Sequence, residues 1–137
     1  MNKESEIQSA SGRTILVVDD EKHMRMLLAH CLKRTGAAVR LASSGEEAVS
    51  LAASGGIDLV ILDFELSGMN GVDTLRALRG LPGGDAIKAI MLTARGHDDY
   101  QAGAAAHGVA AFFGKPFSPA ELNRAVVRLL EGATVRA

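Results

Sequence analysis

Apolar residues enter this chain in two alternating rhythms. TILVVD (14–19), DLVILD (58–63) and AIMLT (89–93) are short unbroken apolar runs, rich in β-branched residues and each closed by a polar one. Such runs suit strands buried on both faces, as in a parallel sheet covered by helices. VRLA (39–42), with Val39 and Leu41 turned inward, and VAAFF (109–113) are weaker strand segments. Helical spacing fills the intervals. Met24, Leu27, Leu28, Cys31 and Leu32 recur at i, i+3, i+4, i+7 and i+8, predicting a first helix over about 21–35. Ser44 and Glu47 form a capping box for a second, with Ala48, Leu51 and Ala52 inward. Asn70 caps a third, which carries Val72, Leu75 and Leu78. A fourth, alanine-rich helix is expected over about 97–107, where Gly103 costs about 1 kcal/mol relative to alanine. The last is the best marked. Ser118 caps it, Pro119 takes the first helical position, Glu121 completes the box, Leu122, Val126 and Leu129 face the core, and Gly132 ends it.

Strand and helix thus alternate five times, which predicts an α/β fold: a doubly wound, five-stranded parallel sheet with helices on both faces. The domain is expected over 13–131, after a flexible arm (1–12) and before a short tail (132–137). The 137 residues fit one ordinary domain. Fifteen basic against sixteen acidic residues leave a net charge of −1, so neither a nucleic acid nor an anionic membrane surface is expected as partner. A lone cysteine, Cys31, excludes an internal disulfide or a cysteine-cluster metal site. The polar N-terminus lacks a secretory signal and no apolar run approaches the ~18 residues of a membrane helix, which points to the cytoplasm.

Chemistry gathers at one edge. Ligands of doubly wound sheets bind beyond the carboxyl ends of the strands, where strand order reverses. Strand one ends in Asp19 and Asp20, strand three in Asp63, strand four in Thr93, and strand five leads to Lys115 and Pro116. With strand order 2-1-3-4-5 the aspartates share one crevice. Two like charges about 4 Å apart repel by about 4 kcal/mol at an effective dielectric of 20, so the cluster calls for a counter-charge. An all-oxygen site favours a hard cation, and Mg²⁺ fits best because it completes its shell with water and phosphate oxygens. Lys115 adds a point charge and Thr93 a hydroxyl donor, an inventory suited to phosphoryl chemistry with an aspartate nucleophile.

VVDDE (17–21), ILDFELSGMNG (61–71), LTA (92–94) and FFGKPF (112–117) resemble, in order and spacing, the four signature segments of response-regulator receiver domains. The resemblance covers about residues 13–131 and implies the flavodoxin-like (CheY-like) fold with strand order 2-1-3-4-5. It implies that Asp63 accepts a phosphoryl group from a phosphohistidine. Mg²⁺ would be held by Asp20, Asp63 and the backbone carbonyl of Glu65, with Asp19 acting through a water. Lys115, ahead of a cis bond to Pro116, would contact the phosphoryl group, with Ala94 the small residue beside it. Thr93 and Phe112 would form the switch pair. Implied partners are a histidine kinase or histidine phosphotransferase, and a downstream protein bound at the face of the alanine-rich helix, strand five and the last helix. Such a domain is not an enzyme beyond its own phosphorylation and dephosphorylation, and is a monomer or a phosphorylation-dependent dimer.

The chain also departs from the pattern. Leu66-Ser67 stands where the family usually has Met-Pro, which removes a constraint from the loop, and Asn70 replaces a usual Asp. Glu65 and Arg95 occupy positions that tune phosphoryl lifetime in the family, and a pair between them would hinder attacking water. Replacing Asp20 with Asn is expected to weaken Mg²⁺ binding and raise metal-free stability. Only Gly132 to Ala137 follow the last helix, so the reading is a stand-alone receiver, with a fragment of a larger regulator as the alternative. A haloacid-dehalogenase-like phosphatase and an unphosphorylated scaffold rank below. The former needs an Asp-x-Asp where Asp19-Asp20-Glu21 stands, and the latter discards a complete residue set.

Overall fold

Alternate residues of each central strand enter two different cores. Leu16, Val18, Val60, Leu62, Ala89 and Met91 pack on one side of the sheet, and Ile15, Val17, Leu59, Ile61, Ile90 and Leu92 on the other. That is the physical reason the runs are unbroken in the sequence: a strand covered on both faces has no solvent side to make polar. The computed structural model describes residues 10–94 and 107–135. The strands are β1 (Thr14–Val18), β2 (Ala38–Ala42), β3 (Leu59–Asp63), β4 (Lys88–Thr93) and β5 (Val109–Gly114). They form one parallel sheet in the expected order, β2-β1-β3-β4-β5.

Helices α1 (Lys22–Leu32), α2 (Gly45–Ala53), α3 (Gly71–Arg79) and α4 (Pro119–Val135) cover the sheet. Leu28 and Leu32 of α1 join Leu122, Val126 and Leu130 of α4 in one core, while Ala48 and Ala52 of α2 join Leu75 and Leu78 of α3 in the other. Burying each large side chain contributes about 1.5–3 kcal/mol, so these two layers carry the fold. The caps form at their expected residues. Ser44 Oγ accepts from the Glu47 N–H at 3.0 Å, Asn70 Oδ1 from the Asp73 N–H at 2.8 Å, and Ser118 Oγ from the Glu121 N–H at 3.2 Å. Glu47 reaches back one residue further than the box predicts, accepting from the N–H and hydroxyl of Ser43.

Three expectations change. Leu27 is 46% exposed and lies off the buried stripe, beside Met26 at 58%. The stripe of α1 runs through Leu28, Cys31 and Leu32, and Thr35 follows it in a 3₁₀ turn, Lys33–Thr35. Ala10 is buried in the α1/α4 core, so packing begins inside the segment read as an arm. Gly132 lies within α4, which continues to Val135, and Leu130 is buried more deeply than Leu129. The helix expected over 97–107 lies outside the described residues, apart from His107 in a turn.

Two contacts tie the far parts together. The Arg79 guanidinium, at the end of α3, donates to the carbonyls of Gly84, Ile87, His107 and Gly108 at 2.6–3.2 Å, joining the entries to β4 and β5. At the start of α3, a Cβ on Gly71 would lie 2.7 Å from the Asp63 carbonyl oxygen and 2.8 Å from Phe64 Cα. Only glycine lets this helix begin directly against the end of β3.

Candidate phosphoryl site

Two aspartates at the carboxyl edge use the same local device. Asp19 Oδ1 accepts the N–H of Glu21 at 2.9 Å, and Asp63 Oδ1 accepts the N–H of Glu65 at 3.0 Å. Each is an Asx turn that satisfies the backbone where a strand gives way to a loop. Because β1 and β3 are neighbours, the two turns bring both carboxylates to one crevice, 1% and 4% exposed. Asp20 stands at the rim, exposed to solvent. Ligand-capable atoms of Asp19, Asp20 and Asp63 lie within 4.8 Å of one another.

Lys115 reaches in from beyond β5. Its Nζ lies 3.2 Å from Asp63 Oδ1 and 3.4 Å from Asp19 Oδ2. The Lys115 N–H donates to the Thr93 carbonyl at 2.8 Å, and the Lys115–Pro116 peptide is cis, as the resemblance implies. Burial works against the ammonium charge, but Asp63 and then Asp19 outweigh it and hold Lys115 above its ordinary value. Burial pushes the Asp63 carboxyl above its ordinary value; the Glu65 N–H and Lys115 oppose this, and the Asp19 charge reinforces it. The Asp20 carboxyl is held below its ordinary value, first by the Ser67 hydroxyl and then by the Ser67 N–H. Among the described residues, Lys115 is the ion-pair partner of Asp19 and Asp63, and with Asp20 beside them the three carboxylates leave negative charge over, on oxygen donors alone. That set fits a hard cation such as Mg²⁺ and offers no nitrogen or sulfur for a softer one.

Thr93, buried at the end of β4, donates its hydroxyl to Glu65 Oε2 at 2.7 Å, while the Ala94 N–H donates to Glu65 Oε1 at 3.1 Å. Met91 pairs with Phe112 across the β4–β5 ladder, and Thr93 follows two residues on. Thr93 and Phe112 therefore project from the same sheet face, with Phe112 half-buried against the α2/α3 core. Arg95, the expected partner of Glu65, lies outside the described residues.

One contact escaped the sequence argument. Ser67 lacks the proline constraint, yet its N–H (3.1 Å) and hydroxyl (2.7 Å) both donate to Asp20 Oδ2. Proline at this position could make neither bond. The signal was in the sequence, as a residue with two donors where the family pattern has none.

This sheet order, with its acidic carboxyl edge, places the chain in the CheY-like class of α/β domains. The model of the response regulator receiver domain family matches residues 15–127, and the chain belongs to that family, the phospho-accepting module of two-component signalling. It is 36% identical over 120 residues to the transcriptional regulatory protein ResD of Bacillus subtilis, covering 88% of this chain and 49% of ResD. It is 32% identical over 122 residues to the cyclic di-GMP phosphodiesterase response regulator RpfG of Xanthomonas campestris, covering 88% of this chain and 32% of that protein. The chain thus spans a third to a half of the length of these relatives. Among solved structures, the chemotaxis protein CheY4 of Vibrio cholerae superposes with a TM-score of 0.81 at 27% identity, covering 85% of this chain and 98% of its own. Receiver domains bind Mg²⁺ at an acidic pocket, engage histidine kinases and downstream targets, and are in general not enzymes. Among the described residues, no helix is long and apolar enough to cross a membrane.

Proposed function

We propose that Asp63 is the phosphoryl acceptor of this receiver and that the site works as a Mg²⁺-dependent switch. The observation that carries the reading is the Asp63 carboxylate itself. It is 4% exposed, with Oδ1 held by the Glu65 N–H and by Lys115. That arrangement fixes Oδ1 and turns Oδ2 into the attacking atom. In the transfer, Asp63 Oδ2 forms a bond to phosphorus as the phosphorus–nitrogen bond of a phosphohistidine breaks, and the leaving imidazole keeps the electron pair. Lys115 steadies the charge on the transferred group. Mg²⁺, held by Asp20, Asp63 and the Glu65 carbonyl with Asp19 acting through a water, would neutralise charge on the phosphoryl oxygens when bound. Thr93 and the Ala94 N–H are the donors placed to receive a phosphoryl oxygen, and Pro116 holds the turn that carries Lys115.

The output we infer is a protein contact. Thr93 and Phe112 share a sheet face, so a movement of the hydroxyl toward the phosphoryl group opens space for the aromatic ring at β5. The surface around β5 and α4 is the proposed docking face for a downstream protein, with a histidine kinase or phosphotransferase as donor and the cytoplasm as the place of action. The domain acts on itself alone: it promotes its own phosphorylation and dephosphorylation and turns over no separate substrate. Incubation with acetyl phosphate and Mg²⁺ should add one phosphoryl group by intact-mass measurement, and D63N should add none. Equal labelling of D63N would remove Asp63 from the role.

A further inference from the structure

Glu65 already occupies the two donors that the proposed mechanism assigns to a phosphoryl group. Its two carboxylate oxygens are divided between neighbouring donors at the end of β4. Oε2 takes the buried Thr93 hydroxyl at 2.7 Å and Oε1 takes the Ala94 N–H at 3.1 Å. Asp63 is the register partner of Leu92, so Thr93 and Ala94 follow directly beside the acceptor. The Glu65 backbone is anchored to that acceptor through its N–H on Asp63 Oδ1. One residue therefore joins the carboxyl ends of β3 and β4 by a backbone bond on one side and a two-pronged side-chain bond on the other.

A carboxylate is an anion with two divergent oxygens, and here it meets a hydroxyl and a backbone N–H as two oxygens of a phosphoryl group would. We propose that Glu65 is an internal occupant of the phosphoryl-oxygen site, a latch that holds Thr93 in the off position and competes with the incoming phosphoryl group. The inference rests on Asp63 being the acceptor. A phosphoryl group on Asp63 can take the Thr93 hydroxyl and the Ala94 N–H only after the Glu65 side chain leaves them. If it stayed, two anions would share the same two donors. The latch opposes modification and favours return to the unmodified state. It is a different role from a Glu65–Arg95 pair that shields the site from water, since it acts on Thr93 and before any phosphoryl group is present. Glu65 is in this sense a positioning residue, working through Thr93 and not on phosphorus.

The test is a beryllofluoride titration with saturating Mg²⁺, followed by backbone NMR of the full chain. E65Q keeps the length but presents an amide that cannot accept from both donors. E65D keeps the charge but is one methylene too short to reach them. Both should bind beryllofluoride about tenfold more tightly than wild type, the scale of one or two charge-assisted hydrogen bonds released. Without fluoride or metal, both should shift the Ala94 amide resonance and speed its hydrogen exchange. In a T93A background the gain from E65Q should shrink, because half of the latch is already gone. Tighter binding by E65Q with E65D at the wild-type level would reduce the effect to charge repulsion and overturn the latch. Unchanged affinity in both variants would overturn it too, while leaving the acceptor reading intact. Should wild type and both variants all fail to respond, the acceptor reading falls and the latch falls with it.

Discussion

Ser67 donates both its N–H and its hydroxyl to one oxygen of Asp20, across 47 residues of sequence. A loop that the sequence pattern left without its usual constraint is thereby tied to the rim of the acidic crevice. The bond matters electrically, because Ser67 is the main reason the Asp20 carboxyl sits below its ordinary value. S67A removes one donor and S67P removes both. The Asp20 carboxyl, followed by carbon-13 NMR in metal-free buffer, should therefore titrate higher in S67A and higher again in S67P. Superimposable curves would show that the bonds do not persist in solution.

The two acids that would hold a cation should answer oppositely to neutralisation. Burial raises the Asp63 carboxyl, so the folded protein binds that proton more tightly than the unfolded chain does. Its contribution to stability is then fully present below the ordinary carboxylate range and is lost as pH rises through the raised folded value. D63N removes this loss and should melt higher than wild type at neutral pH without metal, with the gap closing as pH falls below the ordinary range. Asp20 has the reverse sign: its lowered value means that ionised Asp20 favours the fold above the ordinary range, and that stability is lost as pH falls. D20N should therefore weaken Mg²⁺ binding without raising the metal-free melting temperature. Like-charge repulsion alone predicts the opposite, a rise in metal-free stability, so the measurement separates that repulsion from the Ser67 bonds that offset it.

Lys115 is the cation that offsets part of the acid cluster before any metal arrives, at 3.2 Å from Asp63 and 3.4 Å from Asp19. K115M leaves two buried carboxylates facing each other. We expect a loss of about 2 kcal/mol without metal, below the range for fully buried pairs because the lysine is partly solvated. Added Mg²⁺ should restore part of it, giving K115M a larger metal-induced rise in melting temperature than wild type. Since Lys115 is held above its ordinary value, the wild-type contribution is present at neutral pH and is lost only as pH rises through that raised value. Urea melts at pH 7 with EDTA and with Mg²⁺ decide the point.

Arg79 serves four backbone carbonyls with one planar guanidinium, a geometry that lysine cannot reproduce. R79K should destabilise the domain by about 1–2 kcal/mol and R79L by about 2–3 kcal/mol, the cost of carbonyls left without a donor. Chemical denaturation measures this directly. Beryllofluoride affinity should change little, because Arg79 sits at the entries to β4 and β5, at the opposite edge from Asp63.

The sequence by itself determined the parts of this protein that depend on near neighbours or on period. Unbroken runs at 14–19, 58–63 and 89–93 announced strands covered on both sides, and Ser44, Asn70 and Ser118 announced helix starts, because a cap acts within three residues. The residues at the strand ends follow from the topology, so the strand order alone brings Asp19, Asp63, Thr93 and Lys115 to one edge. Leu27 marks the limit of that logic. It satisfies the helical spacing, but α1 is rolled so that Leu28 and Leu32 join one core with Ile15 and Val17 of the sheet and Leu122 and Val126 of α4, a tertiary contact that spacing does not record.

Only the tertiary structure decided the contacts that join loops from different strands. Ser67 with Asp20, Glu65 with Thr93 and Ala94, and Arg79 with four carbonyls span 47, 28–29 and 5–29 residues. No periodicity encodes them. Each depends on where a loop lands once the sheet is closed and on which rotamer its neighbours permit. Residue types at the strand ends thus point to a phosphoryl site, while the loop contacts fix the arrangement around it: Asp20 tied to Ser67, and Thr93 tied to Glu65.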